Sequence, residues 1–421
     1  MNRSFRALRH RNFRLFILGQ GTSQIGTWLQ LIATSWLIYK LSGSAFLLGL
    51  ATFAMQIPIL FLSPVAAVWI DRLPKRRVLF ATQCVALLQS STMFVLVLAG
   101  HIEAWHLVAG NLVLGFVNAF DGPGRQSFLI EMVEGKEDLP NAIALQSTIM
   151  NGARFVGPMV GGTVIAVLGE SWGFGLNAVS YLAVLAALAA MRVKPRPHER
   201  RDEAWLTQFT AGFRWALGFL PTRSALLLLA VTSFSTQPYQ SLMPWFAKEV
   251  YGGDSRTLGW LIGAAGCGAV SGMVYLATRP SVRGLLTLLP VASASAGATL
   301  IAFSFSTSLW IALPLAWVMG LGMMLTAAST NTILQTIVED RLRARVAAIY
   351  MMCFLGMSPV GALVAGWAAQ HLGPPVALAM GGGMAIAGAA LYARRLPDIR
   401  RAIRPVYERL GIVAPGQHQK I

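Results

Sequence analysis

The sequence predicts an all-α membrane protein of twelve transmembrane helices in two pseudo-symmetric halves of six. Three observations carry this: apolar windows of spanning length recur along almost the whole chain, the basic residues fall on alternate breaks between them, and the two halves echo one another. Of 421 residues, 55% are apolar and 12% charged. That is more apolar surface than a water-soluble core would absorb, so the bilayer is its natural solvent. A spanning helix needs roughly 20 apolar residues. Such runs lie near 15–39, 45–69, 78–99, 105–122, 145–168, 172–191, 225–247, 257–278, 284–304, 308–328, 346–369 and 375–393.

Charge placement sets the expected topology. With a cytoplasmic N-terminus, 30 of the 34 Lys and Arg residues fall on the cytoplasmic side. Lys40, Lys248 and Arg256 fall opposite, and Arg154 lies within a span. This is the positive-inside distribution and predicts that both termini are cytoplasmic. The same sorting explains the net charge of +17 without nucleic acid, whose recognition would need a basic face or patch. The opening MNRSFRALRHRNFR runs into the first span without a small-residue cleavage site, so it reads as a retained tail and not a signal peptide. Cys84, Cys267 and Cys353 lie in apolar spans with no metal-ligand or CxxC spacing, and are expected to be buried thiols without a disulfide.

The longest polar break, 192–224, begins charged and Pro-containing and then reads as an amphipathic helix around Trp205 to Phe219. It is the expected linker between a six-helix half at 1–191 and another at 225–394, with a cytoplasmic tail at 395–421. The segment FLIEMVEGKEDLPNAIAL before span five parallels TILQTIVEDRLRARVAAI before span eleven. Glu134 and Glu339 are offset by 205 residues, and Gly169 and Gly373 by 204, as a parallel six-span repeat requires.

The break after span two reads AVWIDRLPKRR, from Ala67 to Arg77. It resembles the Gly-x-x-x-Asp-Arg-x-Gly-Arg-Arg signature of the major facilitator superfamily. Asp71, Arg72, Arg76 and Arg77 fit, while Ala67 and Pro74 replace glycines. The resemblance implies a gating latch in which Asp71 meets the N-terminal dipole of the eleventh span. Span five carries NGARFVGPMVGG, which resembles the family's fifth-helix Gly-Pro-x-x-Gly-Gly motif, associated with exporters. There Gly157, Gly161 and Gly162 permit close helix approach and Pro158 permits a bend. The stretches DGPGRQSFL and LPNAIALQSTIMNGAR resemble the branch of enterobactin-exporter-like and macrolide-efflux-like proteins.

Arg154 is the one basic residue well inside a span, a placement costing about 2.5 to 3.5 kcal/mol unless it is paired or hydrated. Asp121 is the nearest acid by topology and Asp71 a second candidate, so Asp121 and Arg154 are expected as buried or coupling charges. Gln20, Gln24 and Thr27 on span one, and Ser233, Gln237 and Gln240 on span seven, share an i, i+4, i+7 spacing that lines one helical face. Asn111 and Asn118 on span four do likewise. In the fold that the resemblance implies, these faces flank a central cavity, although interhelical hydrogen bonding uses the same residue types. Met319 and Met323 would add a polarisable wall suited to varied ligands.

None of the six lysines precedes Ser or Thr, so no phosphate loop for ATP is present. Acids, histidines and cysteines do not cluster within the spans, which argues against an enzyme, a metal or a cofactor. The resemblance implies a monomeric secondary transporter in a bacterial inner membrane. It would export small molecules, such as siderophores, drugs or other lipophilic compounds, by alternating access coupled to a proton gradient. An importer or lysophospholipid flippase on the same fold is the alternative, and a non-transporting membrane sensor or scaffold the alternative of another class.

Overall fold

The computed structural model describes residues 3–133, 137–192, 214–279, 281–339 and 342–413, leaving aside the side chains of residues 3–5, 64, 67, 68, 71, 72 and 344. The expected linker helix at Trp205 to Phe219 lies outside these residues up to position 213. Helices dominate the described residues, and no strand occurs among them. The first six spans are α1 (Arg11–Ser42), α2 (Ala45–Arg72), α3 (Lys75–Leu98), α4 (Ala104–Met132), α5 (Leu139–Leu168) and α6 (Glu170–Ala190). A 3-10 turn, Arg3–Arg9, precedes them. The seventh span is α7 (Leu220–Thr236) followed by α8 (Tyr239–Trp245) and a π-helical turn, Phe246–Val250. Then come α9 (Ser255–Ala277), α10 (Leu285–Ser304) and α11 (Leu309–Ile337). The eleventh span is α12 (Arg343–Met351), a π turn at Met352–Gly356 and α13 (Met357–Leu372). The chain closes with α14 (Pro374–Arg394) and an amphipathic α15 (Leu396–Arg409).

Each of the twelve expected spans coincides with helix. Eight are long and apolar enough to cross a bilayer by length and composition alone. Of the four others, α1, α4 and α5 carry polar residues that lower their hydropathy, and the seventh is broken at Gln237 into pieces too short, α7 having 17 residues. Two helices outrun the sequence expectation: α4 continues to Met132 and α11 to Ile337. Backbone hydrogen bonding does not stop where the apolar run does, and the Gly122-Pro123-Gly124 triplet is carried inside α4. Membrane helices tolerate such residues where neighbours cover the backbone. Here Gly124 lies close to Leu79 of α3, whose Cδ2 a Cβ would meet at 3.1 Å.

The chain forms two compact units, one of Met1–Arg200 with Met243–Gly263, the other of Arg201–Leu242 with Ala264–Ile421. In the first, α1 packs on α5 and α6, α3 on α4 and α6, and α2 on α4. In the second, α7 packs on α14, and α10 on α11 and α14. These pairings match under the repeat, with α7, α10, α11 and α14 standing for α1, α3, α4 and α6. Gly169 and Gly373 occupy equivalent joints at the ends of α5 and α13, with φ of 94° and 87°. Only glycine takes that region without strain, which accounts for the shared residue.

Most arginines of the first unit gather at one end, its basic end. There the α6 carbonyls left without intrahelical donors are capped from other helices. Arg11 Nη1 donates to Ala190 O at 3.0 Å and Arg76 Nη2 to Ala189 O at 2.9 Å. Asn12 Nδ2 donates to Arg192 O at 2.9 Å. An apolar cluster of Phe13, Phe16, Leu79, Phe128 and Leu188 fills the space beneath. In the second unit α15 folds back so that Ile399, Ile403 and Tyr407 are fully buried against Leu285, Leu289 and Tyr392.

Candidate functional site

The first unit holds a chain of buried polar groups between its helices. Asp121, in the interior of α4, is 4% exposed. Its carboxylate pairs with Arg125 one turn on, and accepts from Thr82 Oγ1 at 3.0 Å and Gln83 Nε2 at 2.8 Å, both on α3. The expected partner was Arg154, and the structure corrects this. With α4 helical to Met132, Arg125 is a span residue at i+4 rather than a loop residue, and it faces its own helix's acid. Among the described residues Arg154 has no carboxylate partner.

A second set of buried groups lies past the ion pair. Tyr181 of α6 packs with Ala86 of α3 and with Leu114 and Val117 of α4. Its hydroxyl accepts from Asn177 Nδ2 at 3.3 Å. Asn177 Nδ2 also donates to Gln30 Oε1 at 2.6 Å, which accepts a second bond from Ser90 Oγ at 2.8 Å. Gln30 Nε2 donates to Gln89 Oε1 at 2.9 Å, and the Ser90 hydroxyl shares its one hydrogen between Gln30 Oε1 and Phe174 O, the latter at 2.8 Å. Two glycines make room for these amides: a Cβ on Gly26 would meet Asn177 Oδ1 at 2.5 Å, and one on Gly110 would meet Gln89 Nε2 at 2.6 Å. These buried bonds hold α1, α3 and α6 in one register, because each lost partner would strand a donor or acceptor, as Gln83 Oε1 on α3 already is among the described residues.

The fifth-helix motif is a close-packing face. A Cβ on Gly157 would strike the Trp28 ring at 2.5 Å, and Gly161 lies 3.2 Å from the Leu29 backbone by the same measure. Gly162 and Pro158 face the start of α9, where Gly259 and Ser255 approach the α5 backbone, and Ser255 Oγ donates to Gly162 O at 3.0 Å. At the end opposite the basic one, Tyr39 donates to Glu249 Oε1 at 2.9 Å, and Lys248 lies 5.3 Å over the Tyr39 ring. Lys40 Nζ pairs with Glu170 Oε1 at 2.6 Å. The π turn Phe246–Val250 supplies both Lys248 and Glu249, and such turns recur at functional sites.

The remaining predicted residues divide. Asp71 and Arg72 end α2, with side chains outside the description. Arg76 is committed to the α6 terminus, and Lys75 pairs with Glu131 at 2.8 Å; Arg77 is exposed. Gln20 is 2% exposed, and neither amide atom has a partner among the described residues. Gln24 is half-buried and Thr27 donates to Ser23 O at 2.9 Å. Asn111 Nδ2 donates to Ala51 O at 3.1 Å, an interhelical bond to α2, and Asn118 is half-buried. In the second unit Gln237 Nε2 donates to Phe354 O at 3.0 Å, capping the π turn of the eleventh span. Ser233 is buried and Gln240 exposed. Met323 is half-buried and Met319 fully buried, where Gly320 brings α11 close to the Ala265 carbonyl. The three cysteines are free thiols, but none is fully buried: Cys84 is exposed and Cys267 and Cys353 are half-buried. Thr82, Gln83, Arg125, Gln30, Asn177, Tyr181, Tyr39 and Glu249 were not anticipated.

Comparison with known proteins agrees with this architecture. The transmembrane secretion effector family matches residues 2–408. The multidrug efflux pump Tap of Mycolicibacterium fortuitum is 24% identical over 403 residues, covering 93% of this chain and 98% of that one. A staphyloferrin A transporter of Staphylococcus aureus is 26% identical over 346 residues, covering 81% and 85%. Among solved structures, a bacterial homologue of the human lysosomal transporter Spinster, inward-facing and occupied, superposes with a TM-score of 0.70 at 16% identity, covering 94% and 97%. The nucleoside transporter NupG gives 0.69 at 13%, covering 91% and 99%. These structures share the fold. Twelve spans in a six-helix repeat, a fifth-helix glycine face and a match over nearly the whole length place the chain in the transmembrane secretion effector family of the major facilitator superfamily, as a multi-pass membrane transporter and not an enzyme.

Proposed function

We propose that this transporter exports lipophilic or siderophore-like small molecules across a bacterial inner membrane, with the basic end of its spans in the cytoplasm and the proton gradient as energy source. The buried Asp121–Arg125 pair carries the coupling part of this reading. It is a carboxylate inside a span with a cation one turn away and two neutral donors on α3. Protonating Asp121 would release Arg125 and free Thr82 and Gln83. Membrane-embedded acids of this kind are the usual seat of proton relays. The orientation is supported by the charge distribution, and the substrate class by what the two relatives are named for, a drug efflux pump and a siderophore transporter.

In the cycle proposed, Asp71 and the basic residues after it close the cytoplasmic side, Gly157, Pro158, Gly161 and Gly162 let α5 move while packed, and the Tyr39–Glu249 contact closes the far side. Gln20, Gln24 and Thr27, with Ser233, Gln237 and Gln240, offer neutral hydrogen bonds to the ligand. The transporter acts as a monomer. The test is efflux of dyes, antibiotics and siderophores from cells carrying wild type or Asp121→Asn, with and without a protonophore. Energy-dependent efflux that the substitution abolishes is expected. Uptake in place of efflux would identify an importer, and efflux insensitive to both treatments would refute the coupling.

A further inference from the structure

Where α9 ends, α10 begins and α11 ends, a cleft of about 370 Å³ opens in the second unit, bordered by Ile412 beyond α15. Its walls differ in chemistry. Leu276 and Ile412 provide apolar surface. Arg279 and Ser281 provide donors: Arg279 spends Nη1 on the Tyr275 hydroxyl at 3.1 Å and Nη2 on Arg283 O at 2.6 Å. Among the described residues the remaining three of its five N–H groups meet no acceptor. Ser281 Oγ accepts from Arg283 N at 3.2 Å, which leaves its hydroxyl hydrogen to donate. Thr332 and Thr336 are complementary to these. Their hydroxyls donate to Ala328 O at 2.9 Å and Thr332 O at 2.7 Å, so their oxygens are left as acceptors.

A ligand that fits all three walls carries an anionic group, hydroxyls and hydrocarbon. The surroundings favour the anion. Arg279 and Arg283 flank the cleft, Arg400 Nη2 donates to Thr287 Oγ1 of α10 at 2.7 Å, and α15 adds Arg401, Arg404 and Arg409. The acids nearby are Asp398 and Glu408 on α15, matched to Arg401 at 3.5 Å and Arg404 at 2.8 Å, and Glu339 two residues past α11, which is not free. The position favours a lipid: the cleft lies at helix ends, where a spanning helix leaves the hydrocarbon for the headgroup layer. The apolar face of α15 is consumed within the unit, so α15 presents arginines rather than a face of its own to insert.

We infer that this cleft binds an anionic, hydroxyl-bearing glycerophospholipid of the phosphatidylglycerol class. Its phosphate sits on Arg279 and Ser281, its glycerol hydroxyls donate to Thr332 and Thr336, and an acyl chain runs along Leu276 and Ile412. The full-length protein in detergent would be titrated with phosphatidylglycerol, with phosphatidylcholine of the same chains and with glycerol 3-phosphate, reading the thermal midpoint and retained lipid by native mass spectrometry. Phosphatidylglycerol is expected to raise the midpoint and remain bound, the other two not. Arg279→Gln should weaken retention about tenfold, as loss of one charge-assisted contact implies. Thr336→Val should weaken it less, and Arg401→Gln, with 82% of its side chain exposed, not at all. Arg279→Lys, which keeps the charge, checks that the loss is not a folding defect. An equal effect of phosphatidylcholine, saturation by glycerol 3-phosphate, or equal weakening by Arg401→Gln would overturn the assignment.

Discussion

Replacing Asp121 by Asn tests the buried pair most directly. The carboxylate has only 5% of its side chain exposed and Arg125 only 17%, so the substitution leaves a cation with neither its counter-charge nor free access to water. Removing one member of a buried pair costs about 3 to 5 kcal/mol. Asn still accepts from Thr82 or Gln83 through its carbonyl, which places the expected loss near the lower figure, about 3 kcal/mol. For a unit of this size that corresponds to a midpoint lowered by roughly 6 to 12 °C. The assay is thermal unfolding of purified protein at fixed scan rate, since unfolding of such proteins is often irreversible. Asp121→Asn/Arg125→Gln removes both charges and should recover most of the loss, because two neutral groups can hydrogen-bond where one stranded cation cannot. A single substitution as stable as wild type, or a double substitution worse than the single, would refute the reasoning. Efflux by the recovered double variant then separates two roles: lost flux in a stable protein supports coupling, and wild-type flux reduces the pair to architecture.

Three further outcomes are expected. Gly162→Ala should lower the midpoint by an overpacking cost of about 1 to 3 kcal/mol, because its Cβ would meet Gly259 Cα at 3.0 Å and Ser255 O closer still. Gly152→Ala, on the same helix with nothing within 4 Å, should be neutral or stabilising, and equal effects at both sites would sink the packing argument. Tyr39→Phe and Glu249→Gln in a double-mutant cycle should show a coupling energy of about 1 kcal/mol for the half-exposed hydrogen bond, and additivity would mean that the contact is not made. At the basic end, the hydrogen bond from His10, at 3.1 Å, and then the charges of Arg6 and Arg9 hold the Asp138 carboxyl below the usual carboxylate range. Its contribution is therefore present above the ordinary carboxylate pKa and lost as pH falls through the lowered one. Trypsin should cut at Arg6 and Arg9 faster in Asp138→Asn than in wild type at neutral pH, and a cutting rate indifferent to the substitution would count against this tether.

Much of this was legible because bilayer and backbone impose simple periodicities. Span number, the six-helix repeat and the joint glycines Gly169 and Gly373 follow from hydropathy and offset alone. The glycines of α5 were legible for the same reason, since close approach permits few residue types. Arg125 was misplaced because hydropathy marks where hydrocarbon ends, whereas α4 obeys hydrogen bonding and runs on through a Gly-Pro-Gly triplet. The i, i+4 spacing of Asp121 and Arg125 was the available signal. Gln30, Gln89, Ser90 and Asn177 gave none. They lie on α1, α3 and α6, and only tertiary packing brings them together. Looking for stripes along one helix finds repeated residues such as Gln20, Gln24 and Thr27 and passes over networks built from one or two residues per helix.

The two units also differ in how they use polarity, and the difference bears on mechanism. In the first, an acid and a base lie within α4 and hydrogen-bond to α3, and a second set of buried amides joins α1, α3 and α6. In the second, the buried bonds between α7 and its neighbours are neutral: Thr232 Oγ1 lies 2.7 Å from Ser293 Oγ, and Gln237 reaches Phe354 O at 3.0 Å. Neutral contacts in a bundle are each worth about 0.6 kcal/mol on average, small enough to be exchanged for contacts with a ligand. Breaking a buried ion pair costs about 3 to 5 kcal/mol, so it is exchanged for ligand contacts far less readily. If one unit supplies the coupling and the other the adaptable contacts, substitutions at Thr232 or Gln237 should change which compounds are exported while leaving protonophore sensitivity intact, and Asp121→Asn/Arg125→Gln should do the reverse. Variants of both units that shifted substrate range and protonophore sensitivity together would show that the division of labour is absent.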